Sequence, residues 1–383
     1  MEIGLVKRSF RLLGGGERQI TYLIEGLLAQ GHAVHLFCLQ PPSMPLAEGL
    51  SCHALPVVPG PQACRVLGFA LVVRSALRRA ELRLVQSFDR TLGQQIYRAG
   101  EGVHREWLHR KRSSLSRLAR GWSYLRPVDR VMVALERRVF CETPMIITNS
   151  VRGVEEIARH YGVPKTRMTT IYNGVNTEHF HPGLRRRLRE AQRATWGVSA
   201  DTVVLLFVGS GFHRKGLDCL IRALGELRAG GISNVRLVVV GKGRIAAYRR
   251  LALGAAVADL VRFEGHRPDV MPYYAGADLF VLPTRYDPFA NACLEAMACG
   301  LPVLTTEANG VAELLQDDVN GGVLHDALSA EALAYALQKA LPWEKRRAMA
   351  EAAYQTACEY PLSRALAQTL RVYESALHRA VPL

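Results

Sequence analysis

Residues 283–303 read PTRYDPFANACLEAMACGLPV, and two carboxylates in that stretch, Asp287 and Glu295, are separated by seven residues. Asp287 precedes Pro288 in a loop. Glu295 belongs to an NACLEAMA run that spells a helix, which Gly300 and Pro302 close ahead of an apolar strand. Carboxylates placed in a loop and on the helix after it can accept hydrogen bonds from a hydroxyl-rich ligand. The N–H groups at the helix start can hold an anion between them. The combination suits a sugar joined to a phosphate.

A second loop, Gly209-Ser210-Gly211-Phe212-His213-Arg214-Lys215-Gly216, comes after an apolar β-branched run at 202–208. It precedes a helix marked by Leu217, Leu220, Ile221, Leu224 and Leu227. Arg214 and Lys215 are two adjacent cations at a helix N-terminus, where the dipole disfavours positive charge. An anionic ligand explains them. Arginine forks two phosphate oxygens and lysine adds a point charge, so a diphosphate is the reading, with a solvated surface pair as the alternative. The glycine and lysine spacing is not that of a Walker A loop. A third glycine run, Gly14-Gly15-Gly16, lies between a strand at 2–7 and a helix carrying Ile20, Leu23, Ile24, Leu27 and Leu28. It is not GxGxxG, and from the residues alone it reads as a tight turn.

These loops need a scaffold. A strand, glycine loop, helix and strand open the chain, with Gly31 stopping the helix and the second strand at 33–39. A second such series starts after a turn-rich stretch, IYNGVNTEHFHP, and a charged run at 185–193. Its further strands are read at 235–240, 261–263 and 278–282. Two βα-built halves joined near residue 172 predict an α/β protein of two doubly wound domains, 1–172 and 173–361. A length of 383 residues allows two full cores.

The eight cysteines lack CxxC or zinc spacing, and Cys293 and Cys299 fall in the predicted helix and its end as small apolar residues. No run of about 18 uncharged apolar residues occurs, so no membrane-spanning helix is expected. MEIGLVKRSF reads as a first strand rather than a signal peptide. The net charge is +15, of which +12 falls in residues 1–176 and +3 in the rest. Residues 105–138 hold ten basic residues against Glu106, Asp129 and Glu136, interleaved with Trp107, Leu108, Leu115, Leu118, Trp122, Tyr124 and Leu125. Such a segment suits an anionic membrane surface, and it equally suits a helix packed by its Leu/Trp face. No nucleic-acid motif accompanies the charge, so nucleic acid is not the expected partner.

Taken in order, GGGER, IYNGVNTEHFHP, GSGFHRKGLD, VVVGKG and YDPFANACLEAMACGLPV resemble the marks of the retaining glycosyltransferases of the large family 4. The resemblance runs over nearly the whole chain. It implies the GT-B fold, two Rossmann-like domains facing across a cleft, with a C-terminal helix at about 362–383 packing back on the first. Within the family, GSGFHRKGLD, the 97–106 region and the basic segment are most similar to the lipopolysaccharide core glucosyltransferases.

The same resemblance implies the substrates and the roles of individual residues. By it, the donor is a nucleotide sugar, UDP-glucose, and the acceptor a heptose of a lipopolysaccharide core or a related glycolipid. No cofactor and no metal are needed, because Arg214 and Lys215 offset charge on the departing UDP. Asp287 binds hydroxyls of the donor sugar and Glu295 the ribose. Phe289, Ala290 and Asn291 meet sugar and phosphate through their backbone. Gly15, Arg18, Asn173, Ser210 and Gly243 line the donor site, with His266 and Arg267 near the base. Glu101 and His104 contact the acceptor and Glu101 joins the catalytic set, with a surface salt bridge as the alternative for Glu101. The enzyme is expected to be cytoplasmic and peripheral on the inner face of the inner membrane. Asp287 stands where the family more often has glutamate. Three other readings of the same loops are another nucleotide-sugar transferase of family 4, a nucleotide-sugar epimerase on the same fold and an inactive membrane-surface binding protein.

Overall fold

The computed structural model describes residues 1–9, 15–41, 47–113, 126–325 and 329–379, without the side chains of 15–18 and 379. Gly14 and the Arg117, Arg120, Leu115, Leu118, Trp122, Tyr124 and Leu125 part of the basic segment lie outside the described residues. The chain forms two compact units, Met1–Asn173 with Leu362–Leu383, and Gly174–Pro361.

In chain order the first unit contains β1 (Glu2–Val6), α1 (Gly15–Ala29), β2 (Ala33–Cys38), β3 (Leu50–Ala54), α2 (Gln62–Ala80), β4 (Val85–Ser87) and β5 (Ile96–Arg98). It continues through α3 (His104–Ser113), α4 (Pro127–Glu142), β6 (Met145–Thr148), α5 (Val151–Tyr161) and β7 (Met168–Thr170). The second unit contains α6 (Pro182–Trp196), β8 (Val203–Val208), α7 (Leu217–Ala229), β9 (Val235–Val240), α8 (Ile245–Gly254), β10 (Val261–Gly265) and α9 (Met271–Gly276). Then come β11 (Leu279–Leu282), α10 (Asn291–Ala298), β12 (Val303–Thr306), β13 (Gly321–Leu324), α11 (Ala330–Ala340) and α12 (Trp343–Cys358). The last helix, α13 (Leu362–Arg379), belongs to the first unit.

Each unit holds one parallel sheet, ordered β3-β2-β1-β4-β5-β6-β7 and β10-β9-β8-β11-β12-β13. Strand order reverses beside β1 and β8, the doubly wound pattern that places ligands at the carboxyl ends of the strands. The sequences say why the sheets are parallel. VVLLFV, LFVL and VLTT are apolar or β-branched throughout, and β11 and β12 are buried at every position. That pattern fits strands covered by helices on both faces. In the first unit Ile3, Leu5, Val34 and Leu36 of the sheet pack against Ile20, Ile24 and Leu27 of α1 and Val372 and Tyr373 of α13.

One sequence expectation is corrected. Gly15 and Gly16 are the first residues of α1, not a loop. The first N–H groups of a helix have no partner within it, so glycine's weak helix propensity costs least there. The charged run at 185–193 is the middle of α6. His181 Nδ1 accepts from the Leu184 N–H and Pro182 stands at the first turn, so the helix start is sharply set. Arg185, Arg189 and Arg193 then share one face. They donate to the Ala277 carbonyl (2.7 and 2.9 Å from Arg185 and Arg189) and to Asp278 (2.6 and 3.0 Å from Arg189 and Arg193). The cations close the C-terminal carbonyls of α9, where the helix dipole favours them.

Candidate functional site

In the second unit the loops after β8, β9 and β10 are tied together. Gly211 N–H donates to the Lys242 carbonyl at 3.1 Å, Lys242 N–H to Ser210 Oγ at 3.1 Å, and Gly241 N–H to the Gly265 carbonyl at 2.7 Å. Ser210 therefore joins two loops. Gly243 lies against the Phe212 ring, where a Cβ would approach to 2.2 Å. Gly216 caps α7 at φ +76°, and a Cβ there would stand 1.8 Å from the Pro283 carbonyl oxygen. Gly216→Ala is expected to lower stability by about 3 kcal/mol, at the upper end of ordinary substitutions. An unchanged urea midpoint in that variant contradicts the tight approach.

That approach brings the cationic loop against the segment after β11. The Arg214 carbonyl accepts from Arg285 N–H and Thr284 Oγ1, both at 2.9 Å. Arg285 in turn forks Asp218 at 2.8 and 2.7 Å, locking the loop to α7. The side chains of Arg214 and Lys215 then converge on Asp287. Arg214 Nη1 lies 3.0 Å from Asp287 Oδ2, and Lys215 Nζ makes an ion pair to the same oxygen. Asp287 Oδ1 accepts from Phe289 N–H at 3.2 Å. Lys215 and Asp287 are buried, at 8% and 4% exposure, so neither charge is well solvated alone. Burial opposes the Asp287 charge, but the Lys215 and Arg214 charges outweigh it and hold the carboxyl below its ordinary value.

Helix α10 begins directly beyond. Ala290 N–H donates to the fully buried Asn309 Oδ1 at 3.1 Å, and Ala290, at the N-cap, has no side chain that could cap the helix start. Its first amides and positive dipole end thus come from the same segment as Asp287, Phe289, Ala290 and Asn291. Glu295, in the second turn, accepts from Tyr274 Oη at 2.9 Å. Burial and the Glu295 charge keep that phenol protonated and a donor. His266 and Arg267 come after β10 and are exposed, with Arg267 paired to Glu264 at 3.0 Å. Cys293 and Cys299 are buried, and burial pushes the Cys293 thiol up to about 12.

In the first unit Glu101 and His104 meet around a cavity of about 270 Å³ that Arg8, Asp89, Arg90, Arg126 and Asp129 also line. The cavity stands at the carboxyl ends of β1, β4 and β5. Arg90 organises it. Its guanidinium reaches Glu101, Glu136 and the Gly102 carbonyl, each at 3.0 Å. Glu136 is fully buried and also accepts from Tyr161 Oη and the His104 and Arg105 N–H groups. Glu101 is half exposed and lies 4.0 Å from Lys7. His104 Nε2 lies 3.2 Å from Asp129, while burial and the Arg90 charge lower its pKa and keep the ring neutral.

Asn173 is buried and accepts from Arg98 at 2.9 Å. Gly15 and Arg18 stand in the first turn of α1. Of the acidic residues within the basic segment, Glu106 and Glu136 are buried connectors rather than surface charges, Glu106 holding Arg110, Arg159 and His160. Tyr274, Asn309, Arg285 and the Arg90–Glu136 pair were not found from the sequence. All of them act across long separations, which no local motif records. Among the described residues no helix is long and apolar enough to cross a membrane.

Comparison with known proteins bears on the family and the fold. Residues 13–179 match the model of Glycosyltransferase Family 4, and residues 188–356 that of Glycosyl transferases group 1. The lipopolysaccharide glucosyltransferase WaaG of Escherichia coli K12 is 28% identical over 332 residues, 86% of each protein. The uncharacterized glycosyltransferase MJ1607 of Methanocaldococcus jannaschii is 32% identical over 191 residues, 49% of this chain, and the chain spans only 48% of that protein's length. The crystal structure of WaaG superposes with a TM-score of 0.83 at 25% identity, covering 97% of this chain and 99% of that one. With both family matches in tandem along two doubly wound units, the chain belongs to the group 1, family 4 glycosyltransferases of GT-B fold.

Proposed function

We propose that this glycosyltransferase moves a hexose, glucose from UDP-glucose, onto a heptose of a lipopolysaccharide core or a related glycolipid, with retention of configuration. The observation that carries the reading is the convergence of Arg214 and Lys215 on Asp287 directly ahead of the α10 start. Two cations and a helix N-terminus on one segment suit a diphosphate that gains charge as the sugar leaves. Asp287 holds both cations in place, and Glu295 with Tyr274 suits the ribose hydroxyls. The departing phosphate takes the proton of the acceptor hydroxyl on the same face, so no side chain needs to act as base. Catalysis then rests on charge stabilisation and positioning.

The cavity around Glu101 and His104 takes the acceptor sugar. Its paired carboxylates and guanidiniums are fixed hydrogen-bonding groups of the kind that hold hydroxyls. The likeness to WaaG supports a lipopolysaccharide acceptor. The basic residues of 105–138 bring the enzyme to the inner face of the inner membrane. Sedimentation with vesicles is expected to recover more protein on anionic than on neutral lipid, and equal binding removes the membrane role.

A donor screen by UDP release, with and without a lipid-linked core acceptor, tests the whole reading. UDP-glucose is expected to give the fastest release, only with acceptor present, and equally in EDTA. Acceptor-independent turnover of the donor favours an epimerase, and a strict metal requirement contradicts the role given to Arg214 and Lys215.

A further inference from the structure

Asn309 comes just after β12 in the second unit and is fully buried. Both ends of its carboxamide are engaged. Oδ1 accepts from Val311 N–H at 3.3 Å, capping the short 3₁₀ helix Gly310–Leu314, and from Ala290 N–H at 3.1 Å. Nδ2 donates to Thr305 Oγ1 at 2.9 Å and to Cys293 Sγ at 3.4 Å. Thr305 Oγ1 spends its own proton on the Leu282 carbonyl, at 2.7 Å, at the end of β11. Its oxygen can therefore only accept from Asn309, while two backbone N–H groups require the amide oxygen on the other side. The orientation of the amide follows from these partners.

The Val311 bond is an ordinary cap, which serine, threonine or aspartate makes as well. The Ala290 bond is of another kind. It crosses 19 positions and ends on the N-cap of α10, a residue whose methyl side chain cannot cap the helix. Two backbone bonds run beside it. Asp287 N–H donates to the Ala308 carbonyl at 2.9 Å, and Gly310 N–H donates to the Asp287 carbonyl at 3.0 Å. Residues 287–290 are thus fastened to 308–310 by three hydrogen bonds, one of them from a side chain. Asp287, whose carboxylate pairs with Arg214 and Lys215, has both of its backbone groups held by this strap.

We propose that Asn309 is a positioning residue for the donor, setting the Asp287–Asn291 segment and the start of α10 at the spacing that a nucleoside diphosphate requires. The inference rests on the reading of Arg214, Lys215 and Asp287 as the diphosphate site. A carboxamide is needed there, because Oδ1 accepts twice while Nδ2 donates. Alanine does neither. An ionised aspartate keeps the acceptor, loses the donor to Thr305 and gains a charge that burial opposes. Protonated, the same aspartate is neutral and has a donor again.

Calorimetric titration of the full chain with UDP, ADP and GDP tests this, with circular dichroism to measure the folded fraction. Asn309→Ala is expected to raise Kd for the preferred diphosphate by about 10–100-fold, the equivalent of one hydrogen bond to a charged group. Asn309→Asp is expected to lose as much at neutral pH and to regain part of it, relative to wild type at each pH, as the pH falls and the new carboxyl becomes neutral. A merely structural role lowers the number of binding sites with the folded fraction and leaves Kd unchanged. A wild-type Kd in either folded variant overturns the proposal. Should Asn309→Ala not fold, Asn309→Asp decides, and a ratio to wild type that does not change with pH overturns it too. A wild type that binds none of the three diphosphates overturns the donor reading itself, and this inference with it.

Discussion

Lys215→Met is expected to lower turnover by about 10²–10³-fold, the usual cost of removing one fixed charge donor from a transition state. Methionine nearly preserves the length and apolar packing of the lysine stem, so the change is chiefly one of charge. The loss should appear in kcat rather than KM, because the leaving phosphate gains charge only as the bond breaks. The same substitution weakens the fold, since Asp287, at 4% exposure, loses one of its two ion pairs among the described residues and retains that with Arg214. Wild-type Asp287 titrates below its ordinary range, so its contribution to stability is complete above about pH 4 and fades as pH falls through its folded pKa. Removing Lys215 moves that carboxyl up, which shrinks or reverses this contribution. Acid unfolding monitored by circular dichroism checks the shift, and near-normal kcat in a folded Lys215→Met variant contradicts the role.

Glu136→Leu should have the largest effect on stability, a loss of about 3–5 kcal/mol. The carboxylate is fully buried and is the fixed point for Arg90, Tyr161 and two N–H groups of α3. Leucine leaves the Arg90 guanidinium buried with Glu101 as its remaining ion pair among the described residues. The double variant Arg90→Met/Glu136→Leu should recover much of the loss, because an apolar pair can replace a buried ion pair at little cost. Urea unfolding of the two single variants and the double variant measures the coupling. Additive losses contradict it.

The two loops proposed to hold the donor were legible in the sequence because their motifs are local. GSGFHRKG and DPFANACLE each place glycines, charges and a helix start within about ten residues. Their spacing predicts the loops, the helices and the strands β8, β9 and β11 to within a residue or two. The link between the loops was not legible. Arg214 and Lys215 reach Asp287 across 73 and 72 positions, and only the sheet order β8-β11 makes the two loops neighbours. The role of the charged run at 185–193 was hidden for the same reason, because α9 supplies the carbonyls that its arginines close. In the first unit, Glu101 and His104 were visible as a pair three residues apart, but Arg90 and Glu136 meet from positions 46 apart.

Acceptor-dependent release of UDP from UDP-glucose in EDTA, compared between wild type and Lys215→Met, tests the central claim most directly. The account predicts rapid release by wild type only when a lipid-linked core acceptor is present, and a rate about 10²–10³-fold lower in the variant. Equal rates in the two proteins, or no release with any acceptor-bearing lipid, would contradict it.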